Sequence, residues 1–192
     1  MTAPSPPKPR RNSAFQRLMS IHWWMAGLYP VLFIGGWIME ELQRDNPVRS
    51  PLYSFHKSLG ILTLMLLSWR IVTLLQVWLR KYVKRHPKFT LPWLRHVVLH
   101  TVIYGFMLAV PLTGIFLSNS FKAQNVRFFG LVLPDLFPEN KAVLGFASDL
   151  HGLCASLFLA VVILHLIDQR KVVRALWRRF RNWLGKRQIG AS

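Results

Sequence analysis

The sequence predicts an all-α integral membrane protein. It reads as a four-helix bundle with both termini cytoplasmic and a C-terminal amphipathic interfacial helix. Three observations predict this. Four apolar stretches, roughly 21–39, 59–79, 97–117 and 143–167, each come near the ~20 residues a membrane helix needs. The basic residues gather on one side of those stretches. The fourth stretch carries two histidines, His151 and His165, on one helical face. The 192 residues suffice for one domain, and 52% of them are apolar.

Residues 1–14 are rich in proline and basic residues and read as a disordered cytoplasmic tail. The first apolar run competes with a signal peptide. It is long for that role, no small-x-small cleavage site follows it, and Glu40 and Glu41 come next. It is therefore read as a retained helix starting near Arg17. Asn46-Pro47 and Ser50-Pro51 mark turns in the next loop. The second helix is expected over about 53–79. Pro87 and Pro92 lie in the loop leading to the third, where Pro111 predicts a kink and Gly114 close packing. Residues 118–143 form the longest outer connection. Phe128, Phe129, Leu131, Val132, Leu133, Leu136 and Phe137 make it too apolar for a solvated loop, so it is expected across the outer mouth of the bundle. The fourth helix closes a bundle domain of residues 15–168. In the basic tail 169–192, Val172, Val173, Leu176, Trp177, Phe180, Trp183 and Leu184 recur at helical spacing between arginines. That pattern predicts a helix lying on the inner leaflet.

The formal charge of +18 raises nucleic acid as a partner. Its distribution argues against that. Lys8, Arg10, Arg11 and Arg17 fall in the N-terminal segment, and Arg80, Lys81, Lys84, Arg85, Lys88 and Arg95 around the loop between helices two and three. Arg170, Lys171, Arg174, Arg178, Arg179, Arg181, Lys186 and Arg187 fall in the tail. All lie on one side, while the opposite loops hold only Arg44, Arg49, Lys122, Arg127 and Lys141. Such a bias marks the cytoplasmic side of a multi-pass protein and attracts anionic lipid. Trp23, Trp24, Trp78 and Trp93 at inner helix ends and Trp37 at an outer end support the same frame. The single Cys154 excludes an internal disulfide, and no C-x-x-C-H run offers covalent haem attachment.

The topology assigns each histidine a depth. Four helical turns take about 14.4 residues, so His151 and His165 leave one face about 21 Å apart along the axis. His56, early in the second helix, matches His151 on the outer side. His22, early in the first helix, matches His165 on the inner side. Each pair is placed to clamp a flat macrocycle through both axial positions, and neutral imidazoles are good iron ligands. A membrane histidine is also an ordinary interhelical hydrogen-bonding group, but four at matched depths multiply a cost that packing does not demand. His100 competes with His22 for His165, or lines a quinone site. His96 reads as interfacial and His86 as solvated. Arg70 either snorkels to the inner headgroups or pairs with haem propionates. Lys57 is an interfacial anchor or serves outer propionates.

With these residues in hand, the chain resembles the bacterial cytochrome b561 family, which is related to the cytochrome b subunits of hydrogenases and formate dehydrogenases. The resemblance covers roughly residues 15–178. It rests on Ile21-His22-Trp23, the run His56-Lys57-Ser58-Leu59-Gly60-Ile61-Leu62, and Arg70. It continues through His100 ahead of Val102-Ile103-Tyr104, Pro111, Gly114, Phe129-Gly130 with Pro134, His151-Gly152 and His165. The resemblance implies two b-type haems with two histidine ligands each, and electron transfer between a quinone pool and a second redox partner in a respiratory chain. The helix ends His165-Leu166-Ile167-Asp168-Gln169 and lacks the further histidines that some members carry there.

The resulting expectation is a dihaem cytochrome b of the bacterial cytoplasmic membrane. His56 and His151 hold the outer haem and His22 and His165 the inner one. Arg70, Lys57 and His100 lie near the cofactors, and quinone binds beside Arg70 and His100. Three alternatives stand beside it. One is a superoxide:ubiquinone oxidoreductase with an outer cationic pocket of Lys57, Lys122, Arg127 and Lys141. Another is a membrane anchor for a peripheral dehydrogenase. The third is a non-haem transporter using the same histidines. A homodimer is compatible with all of them.

Overall fold

The computed structural model describes residues 13–82 and 90–189, with side chains over 14–79 and 90–182. Helix α1 spans Ser13–Glu41, α2 Arg49–Tyr82, α3 Leu91–Phe121, α4 Leu144–Asp168 and α5 Arg170–Ile189. A two-stranded hairpin, β1 (Arg127–Phe128) and β2 (Leu131–Val132), and a 3-10 turn at Lys141–Val143 lie between α3 and α4. Helices α1 to α4 are long and apolar enough to cross a membrane. The expected four-helix architecture and the amphipathic fifth helix are both present. Most of the N-terminal tail and the Lys84–Lys88 part of the inner loop lie outside the described residues, as do the side chains of Trp183 and Leu184.

Local chemistry explains the helix ends. Helix α1 begins four residues before the expected Arg17. Asn46 Oδ1 accepts from the Val48 amide at 2.9 Å, a side-chain turn that launches α2 ahead of the expected start. Thr90 caps α3 by accepting from Trp93 N, and Pro92 occupies the first turn, where its missing N–H costs nothing. Pro30 and Pro111 lie inside α1 and α3.

Each spanning helix buries one narrow stripe. On α4 that stripe runs through Ala147, His151, Cys154, Phe158, Val162 and His165, with Ala147 and Phe158 fully enclosed. On α1 it includes Leu18, Ile21, Met25 and Tyr29, on α2 Leu59, Thr63 and Leu67, and on α3 Met107, Pro111 and Ile115. The remaining faces are apolar and exposed, with Trp24 at 68% and Trp37 at 67%. A water-soluble bundle would not tolerate that surface; lipid covers it.

The core lies at mid-depth. Phe158 is 1% exposed and stands edge-on to Tyr29, with ring centres 4.9 Å apart. It also meets Phe33 and Phe106. Ile21, Met25, Leu67 and Met107 complete this cluster.

The outer connection departs from expectation. It does not lay its whole apolar set across the bundle mouth, because the hairpin turns half of it outward. Phe129 and Gly130 both have positive φ (46° and 98°), the geometry of a tight two-residue hairpin turn. Val126 is buried and Phe137 packs edge-on against Phe116, but Phe129, Leu131, Val132 and Leu136 are exposed. Hydrogen bonds fix the segment instead. Ser58 Oγ accepts from the Phe129 amide at 3.0 Å. Asp135 accepts from Gln124 N at 2.8 Å and from the fully buried Asn119.

Candidate functional site

The four stripes bring histidines together at two levels. At the outer level His56 of α2 faces His151 of α4, with ring centres 6.5 Å apart and planes crossed at 89°. Glycines seat both rings. A Cβ on Gly36 would lie 3.6 Å from His56 Cε1, and a Cβ on Gly114 3.1 Å from His151 Cε1. The expected close packing at Gly114 is thus packing against a candidate ligand. His151 Nδ1 lies 3.1 Å from Thr113 Oγ1, while His56 Nδ1 is buried with no hydrogen-bond partner. An apolar cavity of about 270 Å³ opens between α1 and α2 beside His56, lined by Leu32, Gly35, Ile38, Phe55 and Leu59 among others.

The inner level is more crowded. His165 meets His100 edge-on, 5.1 Å between ring centres, and its Nδ1 is buried without a partner. His100 in turn packs on His96 at 3.9 Å and places Nδ1 2.8 Å from the His96 carbonyl oxygen. His22 lies within electrostatic range of His165, His100 and Arg70. Arg95 pairs with Asp168 at 2.7 Å, tying the start of α3 to the end of α4.

The two candidate cations are both engaged by protein. Arg70 donates through Nε to the Tyr104 hydroxyl and through Nη1 to the Leu18 carbonyl, each at 2.7 Å. It therefore joins three helices rather than snorkelling. Lys57 donates to the Asn125 carbonyl at 3.0 Å and latches the outer segment onto α2. Lys141 pairs loosely with Glu139.

A haem iron fits the outer pair. Two metal–imidazole bonds of about 2 Å on opposite sides of one ion put ring centres roughly 6 Å apart. The His56–His151 separation matches that, and an unpartnered buried imidazole nitrogen is a group awaiting a partner. The His100–His165 contact is tighter, a direct ring contact with no space for an ion between. The residues that sequence reasoning missed are Thr113, Tyr104 and Gly36. Each acts on a partner at least 20 positions away, so no local spacing signals it.

A comparison with the curated proteins gives no match. The model of the family described as prokaryotic cytochrome b561 matches residues 13–168, which contain all four spanning helices and both histidine levels; the chain belongs to that family and is a multi-pass, haem-binding electron-transfer cytochrome of a bacterial membrane.

Proposed function

We propose that the protein carries two haems b at the two histidine levels and moves electrons between the quinone pool and a second redox partner. His56 and His151 hold the outer haem, and His22 and His165 the inner one, with His100 packed beside the inner pair. The single observation that carries this reading is the crossed His56–His151 pair at a separation suited to an intervening iron. When bound, haem supplies the one-electron ferric/ferrous couple. The chain's own residues do the rest. The stripes of α1 to α4 exclude water, the imidazoles fix axial geometry, and Arg70 places a fixed positive charge beside the inner level.

The basic inner loops support an arrangement with both termini in the cytoplasm. Arg70, Tyr104 and His100 supply hydrogen-bonding groups at the inner level, which favours that end for a quinone headgroup. The outer cations do not favour a superoxide pocket, since Lys57 and Lys141 already have protein partners. The test is haem content per chain. His151→Ala should remove one of two haems and leave the other, measured by alkaline pyridine spectra. An unchanged count overturns the ligand assignment.

A further inference from the structure

We propose that Thr113 is a positioning residue that locks His151 in the tautomer able to bind iron through Nε2. The inference rests on the reading of His151 as an outer haem ligand and goes beyond it.

The argument is one of donors and acceptors. A neutral imidazole has one N–H and one lone pair. Thr113 Oγ1 donates its single hydrogen to the Val110 carbonyl at 2.9 Å. Its oxygen, 3.1 Å from His151 Nδ1, is therefore left to accept. The Val110 carbonyl, which can only accept, also lies in hydrogen-bonding range of the same ring. Two acceptors at one nitrogen require the proton there. The other tautomer would press the Nδ1 lone pair against two oxygens. Nε2 is thus unprotonated before any metal arrives.

The site is built around this contact. Pro111 is fully buried one residue after Val110, and Gly114 follows Thr113 directly. The ring lies against Gly114, where an added Cβ would come within 3.1 Å. Residues 110–114 of α3 therefore form a cradle that supplies both the acceptors and the space. His56 has no such support, since its Nδ1 is buried without a partner. The two ligands of one haem are then unequal. A hydrogen bond from Nδ1–H to an acceptor raises imidazole basicity and favours ferric iron, so His151 is the stronger donor.

The experiment uses the full-length holoprotein in detergent. Thr113→Val keeps the side-chain shape and removes the hydroxyl; Thr113→Ser restores it. Haem content and a potentiometric titration of the haem absorbance are measured for both, with His151→Ala in parallel. The expected result is that the valine variant keeps its haem but becomes severalfold richer in ferrous haem at a fixed ambient potential, at one haem only. The serine variant returns to the parent value. Loss of one haem in the valine variant with retention in the serine variant supports the same role. A valine variant that titrates like the parent, or a serine variant that behaves like valine, overturns the role of Thr113. If His151→Ala leaves both haems in place, the ligand reading itself fails and the inference falls with it.

Discussion

Arg70 of α2 donates its Nε hydrogen to the Tyr104 hydroxyl of α3 at 2.7 Å, and its Nη1 reaches the Leu18 carbonyl of α1 at the same distance. Leu18 lies one helical turn before His22, so the guanidinium is anchored beside the inner histidine level. A cation in a membrane bundle is costly unless its donors are occupied. Tyr104→Phe keeps the ring and removes the acceptor. It should lower stability by about 1–3 kcal/mol, the cost of an unpaired buried donor. Thermal unfolding of the solubilised holoprotein is the measurement. Haem loss during heating should affect the inner level first. A midpoint equal to the parent would show that the junction contributes nothing.

Phe158 lies seven residues from His151 and seven from His165, and it fills the space between the two levels. Its contacts with Tyr29, Phe33 and Phe106 draw α1, α3 and α4 together. Phe158→Ala should cost about 3–5 kcal/mol through lost packing and the cavity left behind. Phe158→Leu should cost less than half of that. Equal stability in both variants would mean that the bundle collapses freely around the site, contrary to a packed spacer.

Much of this arrangement is legible in the sequence. The four spans follow from length and hydropathy. The periodicity of α4 alone places His151, Phe158 and His165 on one face, because seven residues are close to two helical turns. The depth pairing of His56 with His151 follows from alternating helix directions. What is not legible depends on contacts between distant segments. Arg70 reads equally as a snorkelling side chain or a propionate partner until Tyr104 and Leu18 come into reach. The Arg95–Asp168 pair joins residues 73 positions apart. The hairpin is hidden because its turn places Phe129 at positive φ, which its side chain does not announce.

Gly114 offers a steric test with an internal control. An alanine Cβ there would meet His151 Cε1 at 3.1 Å, so the ring must yield by a few tenths of an ångström. Gly105, on the same helix, has nothing within 4 Å of an added Cβ. Gly114→Ala should weaken haem retention at the outer level by about tenfold or more, as disturbed ligand orientation does at other metal sites. Gly105→Ala should leave haem binding unchanged. Haem transfer to excess apomyoglobin, followed by absorbance, compares the two. Matching transfer rates would show that His151 is not held against α3 in the loaded protein.

The 89° crossing of the His56 and His151 rings has an electronic consequence. Each axial imidazole donates π density to the iron d orbital perpendicular to its own plane. Parallel rings raise one of the two relevant orbitals and split the pair; crossed rings raise both alike and leave them nearly degenerate. The unpaired electron of low-spin ferric iron then retains orbital angular momentum, and the g-tensor becomes strongly anisotropic. Axial-ligand arrangement is one of the levers by which a protein tunes haem iron. The oxidised protein should therefore show a low-spin signal dominated by a single low-field feature in frozen-solution paramagnetic resonance. That feature should disappear in His151→Ala while any signal from the inner haem persists. A spectrum containing only the ordinary rhombic pattern, unchanged in its outer-haem component, would mean that the rings rotate towards parallel when iron binds. The seats at Gly36 and Gly114 oppose that rotation, since each backs one ring with helix backbone at van der Waals distance.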